Sequence, residues 1–288
     1  MPSPDPTRIL RQHLETDALL GVTAVPTPTP IHPNNKPMAS AQADAVGSRP
    51  APPRQQTQAP SRPAPSNFAL KQPPARDTAP PLPPVRPGDV KLLTGLSTAE
   101  KIERLQQLAD QFEQDPKVQA LRPPSTNLVF GEGSPDAKLM FIGEGPGEQE
   151  DKTGRPFVGP AGELLDKMIT AMGLSRAPVY IAHVVKYRAP SNRIPNPEEV
   201  AAQGPTLAQQ VAIINPTVIV ALGGAAAKYA LNNNTGITRL RGQWAQFVHT
   251  DPTIPVMPTF HPAYLLRSYT PDNRKKVWAD LQAALTKI

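Results

Sequence analysis

The sequence predicts a three-layer α/β/α domain around a central, mostly parallel four-stranded sheet, preceded by a disordered Pro-rich N-terminal region. Three observations carry this expectation. Of the 39 prolines in 288 residues, 21 fall within the first 90, and each removes a backbone donor and fixes φ, so helix interiors and central strands cannot form there. Farther on, four short runs are almost continuously apolar, as suits strands buried on both faces of a parallel sheet. Helical patterns separate most of these runs, and such alternation builds crossovers that cover both faces.

In order along the chain, Ile9, Leu10, His13, Leu14 and Leu20 lie near helical spacing and predict a short amphipathic helix over residues 1–21. It either docks onto a protein partner or onto the folded domain, or frays without a role, since isolated helices of ~12–15 residues are marginal in water. Residues 22–90, rich in Pro, Ala, Ser, Thr and Gln, predict a disordered linker. One folded domain is expected over 92–288. It opens with a helix that Ser97 or Thr98 caps, with Ile102, Leu105, Leu108 and Phe112 as its apolar stripe. The strands follow as AKLMFIG (137–143), VYIAHVV (179–185), TVIVALG (217–223) and IPVMPTF (254–260). Helices are expected over AGELLDKMITAMGL, PEEVAAQGPTLAQQVAIIN, GGAAAKYALN and the closing PDNRKKVWADLQAALTKI.

A net charge of +6 and a pI near 9.6 suit a polyanionic partner without requiring one. No apolar run approaches the ~18–20 residues that span a bilayer, and the N-terminus lacks a basic segment followed by an apolar core. A cytoplasmic protein with no membrane contact is the expectation. The chain has no cysteine, which excludes disulfides, thiolate nucleophiles and thiolate-held zinc or iron–sulfur clusters.

Ligands of parallel sheets gather at the carboxyl ends of the strands. After the first strand, Gly143, Gly145 and Gly147 surround Pro146 in GEGPGEQEDKTGRPFVGPAG and permit close backbone approach to a ligand. The Lys and Ser or Thr of a phosphate loop are missing, and Glu144, Glu148, Glu150 and Asp151 would repel a phosphate. This loop suits a neutral ring whose departure or hydration needs a carboxylate; a tight turn with solvated acids is the plain alternative. Phe157 offers a face on which a base can stack for about 1–3 kcal/mol, or else fills the core. After the second strand come His183 and KYRAPSNR, with Lys186, Arg188 and Arg193 for phosphates and Asn192 for polar contact. GITRLRGQWAQF adds Arg239, Arg241 and Trp244 as a basic edge. In HPAYLLR, after the last strand, His261 is followed by Leu265, Leu266 and Arg267, apolar side chains beside a cation that can wedge into a base stack.

Taken in order, GEGPGEQED, GRPFVGPAG, VVKYRAPSNR, HPAYLLR and a final helix containing KKVWADL make the stretch Leu128 to Ile288 resemble the family 4 uracil-DNA glycosylases, the thermostable iron–sulfur type. The resemblance implies that the acids assisting cleavage and positioning water fall on Glu144 and Glu150. It places the base among Gly145, Phe157 and His183, and puts on His261 the contact to the base oxygen that gains negative charge. Leu265 or Leu266 is the implied wedge. The family also has four cluster cysteines, and a gapless reading puts Pro116, Gln119, Tyr187 and Gln203 at those positions. A cofactor-free, cluster-less variant is therefore expected. The family's uracil-reading Asn, in YITNVVK, is replaced by His183 in YIAHVVK, and the different geometry of an imidazole puts uracil as the substrate in question.

The function so implied is that of a monomeric DNA glycosylase. It flips a deaminated base from DNA, hydrolyses the N-glycosidic bond and leaves an abasic site for base excision repair. A non-catalytic or altered-specificity DNA-binding member is the alternative. If His183 keeps an ordinary pKa, its protonation supplies a second donor, so activity is expected to rise toward pH 6.

Overall fold

The computed structural model describes Gly88 and residues 90–288. The helix expected over 1–21, and the linker expected over 22–90 except Gly88 and Val90, lie outside the described residues. The elements run β1 (Val90–Lys91), α1 (Thr98–Gln114), α2 (Pro116–Leu121), β2 (Glu132–Gly133), β3 (Leu139–Gly143), α3 (Glu148–Thr153), α4 (Pro160–Ala171) and β4 (Tyr180–His183). After a 3₁₀ turn at Pro190–Asn192 come α5 (Pro197–Ile214), β5 (Val218–Leu222), α6 (Gly224–Leu231), α7 (Ile237–Leu240), β6 (Ala245–Phe247), β7 (Thr250–Asp251), β8 (Ile254–Thr259), α8 (Pro262–Arg267) and α9 (Pro271–Leu285).

The main sheet has the order β2-β4-β3-β5-β8-β6. Its four central strands are parallel and are the four apolar runs. The sheet is nonetheless six-stranded, a correction to the expected four: β2 and β6 close the edges antiparallel to β4 and β8. These edge strands span two or three residues, too few for an alternation to register in the sequence. β1 and β7 form a separate parallel pair.

Side chains alternate across the central strands, as the period of two requires. Met140, Ile142, Ile219 and Ala221 face one apolar cluster with Leu207, Val211 and Ile214 of α5 and Ala226, Ala227 and Ala230 of α6. Leu139, Phe141, Val218, Val220 and Leu222 face the other, with Leu164, Leu165, Met168 and Ile169 of α4 and Val277, Leu281 and Ala284 of α9. Two helical layers thus enclose the sheet, giving the three layers expected.

Ser97 is the cap of α1: its hydroxyl accepts from Glu100 N while the Glu100 carboxylate accepts from Ser97 N. Of the α1 stripe, Leu108 and Phe112 are buried but Ile102 is exposed, so the buried face is narrower than its sequence pattern. Phe112, Val118 and Tyr187 form a third, small cluster against Leu128 and Ala202.

Candidate active site

Gly143 ends β3 and His183 ends β4, and the two are partners in register. The His183 ring stacks on Phe157 at 4.8 Å between centroids, and Phe157 stacks on His261 at 5.5 Å. Gly143 makes this assembly possible, since a Cβ there would lie 2.5 Å from His183 Nδ1 and 2.7 Å from the Phe157 ring.

Both ring nitrogens of His183 are buried and have no hydrogen-bond partner among the described residues. Burial, then the charges of Lys186 and His261, hold its pKa well below the ordinary value. The ring is therefore neutral near neutrality, with one donor and one acceptor. This corrects the expected gain of activity toward pH 6, which required an ordinary pKa. His261 caps α8 and accepts from Ala263 N at Nδ1 (3.0 Å). An accepting Nδ1 carries no proton, so the neutral ring presents Nε2–H as a donor. Burial, followed by the Arg267 charge, pushes its pKa down to about 4 against the opposing pull of Glu150.

The loop from Glu144 to Gly147 joins β3 to α3. Gly143 O accepts from Val184 N (3.0 Å) and Glu144 O from Val185 N (3.2 Å), so this loop is laced to the chain leaving β4. Glu144 and Gly145 are both half-buried within it. Glu150 is buried with both oxygens engaged: Oε2 accepts from Gly147 N (3.1 Å), and Oε1 from Val158 N (3.0 Å) and Gly159 N (3.1 Å). Asp151 similarly accepts from Asn127 N, and Glu148 pairs with Lys152 at 2.6 Å.

Against this geometry, the model of the family described as "Uracil DNA glycosylase superfamily" matches residues 130–282. The chain belongs to this superfamily. Three similar proteins, each named a type-4 uracil-DNA glycosylase, agree. That of Thermotoga maritima is 49% identical over 164 residues, 57% of this chain and 84% of the relative. That of Sulfurisphaera tokodaii is 46% identical over 162 residues, 54% and 73% of the two chains, and that of Archaeoglobus fulgidus 40% over 166 residues, 56% and 82%. The family 4 resemblance of the motifs is thus matched along most of each relative.

Within this superfamily member several expected DNA contacts are placed otherwise. Lys186 is wholly buried, its ammonium donating to His183 O (2.7 Å) and Gln210 Oε1 (2.5 Å), so it does not reach a phosphate. Arg241 is drawn onto α9, where it pairs with Asp280 and donates to Lys276 O (2.8 Å). Leu265 is 1% exposed and packs in the core, whereas Leu266 is 46% exposed, so only Leu266 stands where a wedge can act. Arg193 forms a two-point pair with Glu199, both contacts 2.7 Å. Arg188 donates to Asn192 Oδ1 (2.7 Å) and approaches Glu148 and Asp151 at 3.8 and 3.9 Å. Arg267 is exposed beside Leu266.

The positions read as the family's cysteines, Pro116, Gln119, Tyr187 and Gln203, carry no thiolate to hold an iron–sulfur cluster. The Tyr187 ring lies tilted against Phe112 at 5.5 Å between centroids, with the Arg122 guanidinium 4.6 Å from its ring. Gln203 Oε1 accepts from Lys186 N (2.7 Å) and Tyr187 N (3.3 Å), while Pro116 opens α2 and Gln119 donates to Glu113 O. These residues do not fit an iron–sulfur cluster, and among the described residues no group of His, Cys, Asp or Glu has the arrangement of a metal site. Sequence reasoning missed Gln210 and Arg176 and met Gln203 only as the position of a lost cysteine. Their partners lie on distant segments, Gln203 on Lys186 N and Tyr187 N, Gln210 on the Lys186 side chain and Phe130 O, and Arg176 on Glu132, Asp166, Pro156 O and Phe157 O, and leave no spacing to find.

Proposed function

We propose that the chain is a monofunctional uracil-DNA glycosylase that extrudes a deaminated base and hydrolyses its N-glycosidic bond. The observation that carries this reading is the grouping of Phe157 with two neutral imidazoles, His183 and His261, the first with both ring nitrogens buried and without a hydrogen-bond partner among the described residues. An unpaired buried polar group is costly, and a single donor or acceptor of a base satisfies one of these nitrogens; the two diverge around the ring, so one base edge does not pair with both. Leu266 fills the gap left by the flipped nucleotide, while Arg188, Asn192 and Arg267 hold the strand. Arg193 joins them only from its pair with Glu199.

Cleavage breaks the C1′–N bond with its electron pair leaving on the base, so charge grows on a base oxygen that His261 Nε2–H stabilises. A neutral imidazole donor suits this task, because it is in place before the charge develops. Water then adds to C1′, giving up one proton, and the base anion takes up one. With the Glu150 oxygens committed to three amides, Glu144 is the carboxylate for the sugar cation or the attacking water. No step runs through a metal or a cluster. We place the enzyme in the cytoplasm with its DNA, acting as a monomer in base excision repair.

A changed base preference is the second reading, favoured by His183 standing where uracil is expected to be read by Asn. Single-turnover incubation with oligonucleotides bearing uracil, hypoxanthine or xanthine, followed by alkaline cleavage at abasic sites, tests both. Uracil cut fastest supports the first reading and a purine cut fastest supports the second. No abasic product from any of them would sink the enzymatic reading. Iron assay on the same protein should give none, and about four iron atoms per chain would refute the cluster-less site.

A further inference from the structure

Phe157 holds φ at +51°, a left-handed conformation that costs a bulky residue energy and persists only where its surroundings impose it. The backbone here is gripped from both sides. On one side the two following amides, Val158 N and Gly159 N, donate to the same oxygen of Glu150. On the other, the Arg176 guanidinium takes the two carbonyls: Nη2 donates to Pro156 O (2.6 Å) and Nη1 to Phe157 O (2.9 Å). Arg176 is itself fixed, with Nε on Glu132 of the edge strand β2 (2.9 Å) and Nη1 on Asp166 of α4 (2.9 Å). Gly162 lets the first turn of α4 press against the same carbonyl, since a Cβ there would sit 1.9 Å from Phe157 O.

We propose that Arg176 is a positioning residue that holds the Phe157 ring in its strained setting, so that the platform for the flipped base is already formed before DNA binds. This rests on Phe157 being that platform. The geometry demands an arginine: two parallel donors must meet two neighbouring carbonyls while a third meets Glu132, and an ammonium cannot span that fork. Glu150 alone does not suffice, because it holds the peptide after Phe157, whose N–H and C=O turn together, and leaves the peptide before it, which carries Pro156 O, free to rotate. Without Arg176 the residue can relax toward negative φ, carrying its ring away from His183 and His261. An ordinary structural ion pair would stabilise the fold without favouring one setting of that ring, and the two ideas separate by coupling.

The experiment measures single-turnover uracil excision from a single-stranded oligonucleotide, with thermal melting, for the parent, Arg176→Lys, Phe157→Ala and the double variant. In the parent background Arg176→Lys should lower the rate roughly tenfold, whereas with Phe157 already removed the same change should alter it by less than about twofold. Asp166→Asn, which loosens the guanidinium from α4 without touching the loop, should give a milder loss with the same dependence on Phe157. Equal fractional losses in both backgrounds, or no loss in the parent background, would overturn the proposal. A Phe157→Ala protein as active as the parent would instead remove the platform reading on which it rests.

Discussion

Lowering the pH from 8 to 5 should cost this protein about 2 kcal/mol of stability through His261 alone. The ring must keep a lone pair at Nδ1 to accept from Ala263 N, and its pKa is pushed down to about 4 in the folded chain. Unfolded, it binds a proton near the ordinary value of about 6.5. Between these values the unfolded chain holds more protons than the folded one, so stability is full above pH 6.5 and falls as the pH drops toward 4. The whole window corresponds to about 3 kcal/mol, of which about 2 is spent by pH 5. His183, whose pKa is also depressed, adds a loss of the same sign. His261→Asn retains a short side-chain acceptor suited to a helix N-cap and removes the titration. Urea unfolding of parent and variant at pH 8, 7, 6 and 5 reads the difference: the parent should lose about 2 kcal/mol more than the variant across that range. Parallel losses would refute the assignment of His261 as a neutral cap, and with it the Nε2–H donor at the base.

Other expectations concern the walls of the site. Leu266→Ala should lower excision more on duplex than on single-stranded DNA with little change in melting, while Leu265→Ala should cost about 2–5 kcal/mol of stability and affect both substrates alike. Equal losses on both DNAs for Leu266→Ala would remove its wedge role. Lys186→Met should leave His183 O and Gln210 Oε1 short of a donor, destabilising the chain by about 1–3 kcal/mol without changing the salt dependence of DNA affinity. A weaker salt dependence would mean that Lys186 reaches phosphate after all. His183→Asn should raise uracil excision at pH 7.5 by roughly ten- to a hundredfold. Abolished activity would show instead that the imidazole is adapted to the enzyme's own substrate.

The fold was legible where burial is two-sided. Leu139–Gly143 and Val218–Leu222 are buried at every position, so their apolar runs could be seen without any alternation. Glu132–Gly133 could not, because two residues held only by pairing with β4 carry no pattern of their own. At the site, the glycine loop, Phe157 and His261 were visible because strand ends gather ligands. The cations were harder. Lys186 and Arg188 stand two residues apart on the same polar loop, yet one turns inward to Gln210, 24 positions away, and the other stays near the surface. Arg241 finds Asp280 only once the chain has folded over 39 residues. A charged side chain announces its charge in the sequence, but the direction it takes depends on acceptors supplied from elsewhere.

The same dependence explains how the pocket stands without cysteines. A cluster held by four thiolates would tie the chain near α2 to the segment beyond β4 and to α5 through one inorganic knot. Here the same segments are joined by separate, smaller ties. Tyr187 packs on Phe112 and Val118, bringing the segment beyond β4 against α1 and α2. Gln203, from α5, accepts both Lys186 N and Tyr187 N, fixing the backbone of that segment. Gln210, about two turns further along the same face of α5, accepts from the Lys186 side chain and donates to Phe130 O (3.0 Å), next to β2. The Lys186 ammonium completes the path by donating to His183 O. His183 is thus braced from α5 through backbone and amide groups, and this bracing needs neither a metal nor a compensating carboxylate. A buried ammonium with two neutral acceptors is a costly element to keep. Its position gives it a use: from there one donor holds the carbonyl of His183 from behind, while burial keeps the imidazole neutral and lowers the lysine's own pKa.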